Sequence, residues 1–205
     1  MNIAIIKYGM GNVASVEKMI AKIGFDSIIT NNHKEIEEAD FILLPGVGSF
    51  KKGIENLRES GLIDLLTEEV VVKKKPFLGI CLGMQLLATY GNEPEKENGL
   101  GWIEGEVVKI ELQKKMRIPH MGWNNVKFVN TAPVFYEEFD EQDYYFIHGY
   151  HFIAANPADV VLKVTYDIPM VAALQKNNIY AMQFHPEKSQ EAGMKLLKKI
   201  INQYA

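Results

Sequence analysis

Cys81 is the only cysteine of this chain, and it stands in the run Gly79-Ile80-Cys81-Leu82-Gly83. An apolar, strand-like stretch (Pro76-Phe77-Leu78) precedes it and a helix-forming one (Met84-Gln85-Leu86-Leu87-Ala88) follows. A G-x-C-x-G run in that setting has the form of a nucleophile elbow. The central residue sits on a sharp strand-to-helix turn, where side chains at the neighbouring positions would strike the adjoining elements. At the start of a helix the partial positive charge favours the thiolate, the reactive form of the residue. The alternative is a small buried hydrophobe between strand and helix, a common fate of a lone cysteine.

A nucleophile of this kind needs a base. Near the other end of the chain, the apolar run Ile179 to Phe184 reads as a strand and leads into His185-Pro186-Glu187-Lys188-Ser189. Pro186 biases His185 toward an extended conformation. In an extended segment residues two apart share a face, which predicts that Glu187 reaches the imidazole. Glu187 would then fix the tautomer of His185, and the other ring nitrogen would take the thiol proton. That is the nucleophile–base–orienter logic in the order Cys81, His185, Glu187. The alternative is a surface histidine beside a strand end, with Glu187 as a helix N-terminal acid. One cysteine and no close pair of histidines give no structural zinc spacing. His148 and His151 could share a helix face, but Tyr144-Tyr145-Phe146-Ile147 around them reads as strand.

The elements that must position these residues are legible in outline. Ile3 to Ile6, Ser27 to Thr30, Phe41 to Leu44 and Phe77 to Ile80 read as strands that are apolar almost throughout, as parallel strands covered on both faces are. Val13, Val16, Ile20 and Ile23 recur at helical spacing, with Asn12 placed to cap. A second helix covers roughly Phe50 to Val72, with a break at Gly61. The alternation predicts an α/β fold with an open, mostly parallel sheet flanked by helices. The second half changes character: Gly99 to Glu111, Trp123 to Val129, Tyr144 to His151 and Val160 to Val164 are β-like runs with little helix between them, so antiparallel additions to the sheet are expected. Gln190 to Gln203 closes the chain as an amphipathic helix with Met194, Leu197 and Ile200 or Ile201 in its apolar stripe. The site should lie at the carboxyl ends of the parallel strands.

The length of 205 residues fits one domain, 1–205, with a sizeable core. A net charge of −4 argues against nucleic acid as a partner; Lys73-Lys74-Lys75 reads as a solvated helix end. The first strand follows the N-terminus directly and is too short for a signal peptide or a membrane span. A lone cysteine allows no intrachain disulfide and fits a reducing cytoplasm. Tyr8-Gly9-Met10-Gly11-Asn12 has a dinucleotide-loop look, but it lacks the third glycine and reads better as a turn into a capped helix.

Taken together, Tyr8-Gly9-Met10-Gly11-Asn12, Leu44-Pro45-Gly46-Val47-Gly48-Ser49-Phe50, Gly79 to Leu87, Pro119-His120-Met121-Gly122-Trp123-Asn124 and His185 to Ser189 give the chain a resemblance, over nearly its whole length, to the class I (triad-type) glutamine amidotransferases. Within these it is similar to the glutaminase subunits of imidazole glycerol phosphate synthase. The resemblance implies a flavodoxin-like fold and no cofactor or metal. It makes Cys81 the group that attacks the side-chain amide of glutamine, with His185 as base and then acid, Glu187 as its orienter, and a γ-glutamyl thioester as intermediate. Substrate-binding positions would be Gly46, Gly48, Leu82 and Gln85: backbone N–H groups near Gly48 and Leu82 as oxyanion donors, and the Gln85 amide for the α-amino or α-carboxylate end. By residue type alone Gln85 is equally an ordinary helix residue.

The resemblance further implies a heterodimer with a (β/α)₈-barrel synthase that receives the ammonia, no nucleic acid or membrane partner, and a docking face that includes Asn12, Trp123 and Lys188. Trp123 is equally a candidate for the core. The ammonia would react with phosphoribulosyl-formimino-AICAR-phosphate to give imidazole glycerol phosphate and the AICAR ribotide in histidine synthesis. Lys7 and Gly149 depart from the Asp and Ser commoner in these proteins. They leave open a paralogous glutaminase that supplies amidino groups to surface sugars. Outside glutamine chemistry, the rivals are a cysteine hydrolase or peptidase on the same fold and an inactive partner-binding module.

Overall fold

The computed structural model describes residues 1–114, 116–129 and 138–205. The first half alternates β1 (Asn2–Ile6), α1 (Val13–Lys22), β2 (Asp26–Thr30), α2 (His33–Glu38), β3 (Phe41–Gly46), α3 (Phe50–Glu59), α4 (Leu62–Thr67), β4 (Phe77–Cys81) and α5 (Leu82–Gln85). The second half is mainly strand: β5 (Tyr90–Asn92), β6 (Lys96–Asn98), β7 (Gly105–Lys109), β8 (His120–Phe128), β9 (Asp143–His148), β10 (Tyr150–Ala154), β11 (Val160–Tyr166), β12 (Ile168–Lys176) and β13 (Ile179–Met182), before α6 (Gln190–Ile201).

Among the described residues nine strands form one sheet in the order β2-β1-β3-β4-β13-β12-β11-β8-β9. The first five run parallel and the last four are added antiparallel. Expectation and structure part over the other strands. β10, β7, β5 and β6 do not extend the main sheet but make a separate four-stranded one. Side chains alternate across the pleat, so β1 sends Ile3 and Ile5 into one core and Ala4 and Ile6 into the other. The first core is closed by α1 and α6 through Val16, Ile20, Leu197 and Ile200. The second is closed by α3 and α4 through Phe50, Ile54, Leu57 and Leu66, and by the small sheet through Val107 and Phe152. Both faces of β1, β3, β4 and β13 are dry, which is why their sequences read as nearly unbroken apolar runs; β2, at the sheet edge, is partly exposed and leaves Ile28 in solvent.

The helix expected over Phe50 to Val72 is interrupted at Gly61, whose φ of +66° starts α4; a π-helical turn, Glu68–Val72, follows α4. Its Glu69 is buried and held by Lys73 at 2.6 Å and Lys75 at 2.8 Å. Lys75 also donates to the Ile36 and Glu37 carbonyls. The lysine run is therefore partly an internal clamp rather than a wholly solvated end. α5 is a single turn, shorter than the run Met84 to Ala88 suggests. The carbonyls of Leu86, Leu87 and Ala88 are taken by the N–H groups of Leu100, Ile103 and Gly101, so the incoming segment uses the acceptors a longer helix would need.

Candidate active site

Three neighbouring parallel strands end side by side. Gly46 of β3 pairs with Cys81 of β4, and Met182 of β13 pairs with Ile80. The chain that leaves β13 reaches His185 within three residues, so the predicted nucleophile and base come together at the carboxyl edge of the sheet. Cys81 itself has φ +55° and ψ −108°, a conformation that costs a non-glycine residue roughly 1–3 kcal/mol. Its flanking glycines are required by contact. A Cβ on Gly83 would fall 1.8 Å from the Leu44 carbonyl oxygen, and one on Gly79 would fall 2.7 Å from that of Gly83.

His185 and Glu187 meet as the sequence suggests, by a different local route. His185 is extended (φ −100°, ψ +96°), but Pro186–Lys188 is a 3₁₀ turn, which curls Glu187 back so that its Oε1 accepts from His185 Nδ1 at 2.8 Å. Both side chains are buried. The backbone is locked as well: His185 N–H donates to the Tyr145 carbonyl, and Ser189 Oγ donates to the His185 carbonyl while accepting from Tyr145 N–H. Burial opposes a charged imidazole, but Cys81 and Glu187 outweigh it and raise the His185 pKa to about 9. The sulfur acts on the ring without completing a hydrogen bond, because Nε2 is buried with no hydrogen-bond partner among the described residues.

Cys81 opens onto a cavity of about 290 Å³. Gly48, Leu82 and Gln85 line it, together with Val47, His148, Gly149, Tyr150 and Lys188. Gly46 does not line it. That residue lies beneath, where a Cβ would fall 2.3 Å from the Tyr8 hydroxyl and 2.9 Å from Leu82 Cβ. Gln85 is no ordinary helix residue: its buried Nε2 donates to the Tyr150 carbonyl and to Gln183 Oε1, both at 2.9 Å, which leaves Oε1 as the acceptor with no partner among the described residues. Among the described residues no group of three or more His, Cys, Asp or Glu is placed to hold a metal ion.

Of the residues assigned to the docking face, Trp123 is half exposed rather than core, at 48%. It packs edge-on against Tyr145, with ring centroids 6.1 Å apart. Lys188 Nζ stands 5.7 Å from the centroid of the same Tyr145 ring. Asn12 is exposed and caps α1, with its Oδ1 accepting from Ser15 N–H. The glycine loop before it rests on protein: a Cβ on Gly11 would fall 2.9 Å from the Pro45 carbonyl oxygen. Lys7 is exposed and does not line the cavity, whereas Gly149 lines it beside Cys81.

Sequence reasoning passed over three residues. Gln183 points its Nε2 at Cys81 Sγ, 3.7 Å away. The Tyr8 hydroxyl is buried without a hydrogen-bond partner among the described residues, and burial together with nearby Cys81 raises its pKa. Tyr145 ties the His185 backbone to the exposed face. Only Gln183 carried a signal, as a lone polar residue inside the apolar run that leads to His185.

A family model described as glutamine amidotransferase class-I matches residues 4–203. The chain is 49% identical, over 98% of its length and 99% of the relative's, to a Methanococcus maripaludis protein named imidazole glycerol phosphate synthase subunit HisH 2. It is 40% identical, over 97% of its length and 98% of the relative's, to a Pseudomonas aeruginosa protein of the same name. A crystal structure of a glutamine amidotransferase superposes with a TM-score of 0.74 at 16% identity, covering 97% of this chain and 98% of the other. The structure of PurLQS from Thermotoga maritima gives 0.73 at 17% identity, covering 100% and 99%. At those identities the likeness is one of fold.

Proposed function

This chain belongs to the class-I glutamine amidotransferase family, and we propose that it is the glutaminase subunit of an imidazole glycerol phosphate synthase in histidine biosynthesis. The observation that carries the reading is the line Cys81, His185, Glu187, whose cysteine opens onto a cavity of amino-acid size. Cys81 attacks the side-chain amide carbon of glutamine and His185 takes the thiol proton through Nε2. Glu187, bonded to Nδ1, holds the ring and stabilises its charge. His185 then gives the proton to the departing ammonia, and water attacks the thioester carbon to release glutamate. Backbone N–H groups near Gly48 and Leu82 receive the negative oxygen; one such donor is commonly worth about 3–4 kcal/mol. Gln85 Oε1, with its Nε2 already committed, suits the substrate's α-ammonium group.

Ammonia released into water becomes ammonium and loses its nucleophilicity, so the product needs a covered exit. The exposed side chains beside the cavity supply a docking surface: Val47, Met121 and Trp123 are all more than 40% exposed, with Lys188 and Asn12 at its polar margin. We assign this surface to a (β/α)₈-barrel synthase subunit that passes ammonia to the imidazole precursor. Because Gly11 rests on the Pro45–Gly46 backbone, docking at Asn12 bears on the end of β3, which leads into the donor near Gly48. The glutaminase is therefore slow until the partner is bound. The names of the relatives support this pathway over amidino-sugar formation, and membership of the family argues against a peptidase or an inactive module. No helix among the described residues is long and apolar enough to cross a membrane; we assign the chain to the cytoplasm, where the phosphorylated precursor of such a synthase would be found.

Cys81→Ala tests the reading. In the complex, synthesis driven by glutamine should fall by at least about 10⁴-fold, while synthesis driven by added ammonia persists. Loss of both would make Cys81 a structural residue, and an isolated chain as fast as the complex would remove the docking control.

A further inference from the structure

Behind the cavity, buried polar groups form an unbroken line from β8 to the nucleophile, and the chemistry of one carbonyl fixes its direction. The Tyr150 carbonyl oxygen can only accept. His148 Nδ1, 2.9 Å away, therefore carries a hydrogen and donates it, and Gln85 Nε2 fills the second lone pair. With hydrogen on Nδ1, a neutral His148 has a bare Nε2. His120 Nδ1, 3.0 Å from that atom, must then be the donor. His120 Nε2 in turn accepts from Asn124 Nδ2 at 3.2 Å. Both rings are buried, and burial holds both neutral, lowering His120 to about 4 and His148 to about 3. On the other side of Tyr150, Gln85 Nε2 also donates to Gln183 Oε1, which turns Gln183 Nε2 toward Cys81 Sγ. His120 is clamped flat between Phe146 and Tyr166, with ring centroids 4.9 and 4.2 Å away, so its donor cannot swing off His148.

We propose that the His120–His148 pair is a positioning device for the glutamine site: it pins the Tyr150 carbonyl, and through it orients the Gln85 and Gln183 amides that face the substrate and the Cys81 sulfur. This rests on the glutaminase reading. Without the His120 donor, His148 keeps a buried, unpaired acceptor, a state proteins avoid. Its ring already lines the cavity, so it turns there for a partner and releases Tyr150.

Two variants separate positioning from bulk structure. His120→Phe keeps a flat ring between Phe146 and Tyr166 but cannot donate. His120→Asn keeps an N–H donor near the place of Nδ1. The probe is covalent inactivation of Cys81 in the full-length chain by the chloroketone analogue of glutamine, with iodoacetamide as the undirected control. His120→Phe should raise the half-saturating analogue concentration about 5- to 10-fold, the weight of one hydrogen bond, while the iodoacetamide rate stays within about twofold. His120→Asn should restore analogue binding to within about twofold of the parent. Equal behaviour of the two variants, or no change in His120→Phe, overturns the proposal. A measurement on the unaltered protein stands independently of variant folding: ¹⁵N shifts of labelled histidine should show hydrogen on Nδ1 of both rings, and hydrogen on Nε2 of either ring overturns it. A parent chain that takes iodoacetamide but never the chloroketone, even when docked on its synthase partner, would instead sink the glutaminase reading, and the ¹⁵N test of the relay would still apply.

Discussion

The parallel and antiparallel halves of the nine-stranded sheet divide the labour of the site. β3, β4 and β13, all parallel, end together and deliver Gly48, Cys81 and His185. β8 and β9, antiparallel and remote in strand order, deliver no group for the proposed chemistry. They supply the Tyr145 carbonyl that holds the His185 backbone, the buried His120 and His148, and the exposed Trp123. Reacting groups sit where strand ends converge and backbone strain is stored, whereas their supports sit within paired strands. The comparison teaches that strain and support come from different parts of one sheet, and each should fail in its own way.

The largest difference should appear in catalysis. Glu187→Gln on the parallel side leaves His185 Nδ1 without its carboxylate, so glutamine turnover in the complex should fall about 10²- to 10⁴-fold with the fold intact. A steady-state assay with a thermal melt alongside checks this. A loss below tenfold would make Glu187 an incidental partner of His185.

Stability should separate the halves next. Gly83→Ala forces a Cβ to within 1.8 Å of the Leu44 carbonyl, and backbone cannot yield as a flexible side chain can. It should destabilise by about 3 kcal/mol or more. Gly149→Ala, in the turn between β9 and β10, meets Ile118 Cγ2 at an ordinary 3.7 Å and should stay within about 0.5 kcal/mol of the parent. Urea unfolding of both variants measures the contrast, and equal costs would remove it.

The docking role sharpens the comparison from the other side. Trp123→Ala deletes an exposed aromatic of the antiparallel half, so the folded chain should keep its stability to within about 1 kcal/mol. Its affinity for the synthase partner should drop by about 2 kcal/mol, roughly 30-fold. Calorimetric titration of the complex reads this directly.

These contrasts also explain what the residues disclosed in advance. The parallel half was legible because its inner strands are apolar almost throughout and its reacting groups are chemically rare: one cysteine between two glycines, and one histidine locked by proline. The route from His185 to Glu187 was not, since a 3₁₀ turn and an extended strand both bring residues two apart within reach. The one-turn length of α5 was hidden because it depends on Leu100, Gly101 and Ile103, which arrive from elsewhere to claim its carbonyls. In the antiparallel half the polar residues disclosed little. His120 stands out only as part of a motif and His148 only as the end of a strand, and their surroundings are set by Phe146, Tyr166 and Asn124, which no local pattern links. Gln183 was visible as a polar interruption, but its meaning required knowing that Cys81 lies beside it.

The finest test of the comparison is a pair of opposed pH dependences, one for each half. The His185 pKa is raised in the folded chain, to about 9, above an unfolded value near 6.5. Its contribution to stability is therefore complete below pH 6.5 and is lost as pH rises through 9. His120 and His148 are lowered, to about 4 and 3, so the unfolded chain binds their protons first. Their contribution is complete above pH 6.5 and is lost as pH falls, by at most about 1.4 kcal/mol per pH unit for each ring. The stability advantage of the parent over His185→Asn should shrink between pH 6.5 and 9 and hold steady below 6.5. Its advantage over His120→Asn should do the reverse, shrinking from pH 6.5 toward 4. Urea unfolding at half-unit pH intervals resolves both slopes. Parallel curves for the two variants would mean that the two halves share one electrostatic environment, with the charge of the triad reaching the buried histidines through the Gln85–Gln183 line.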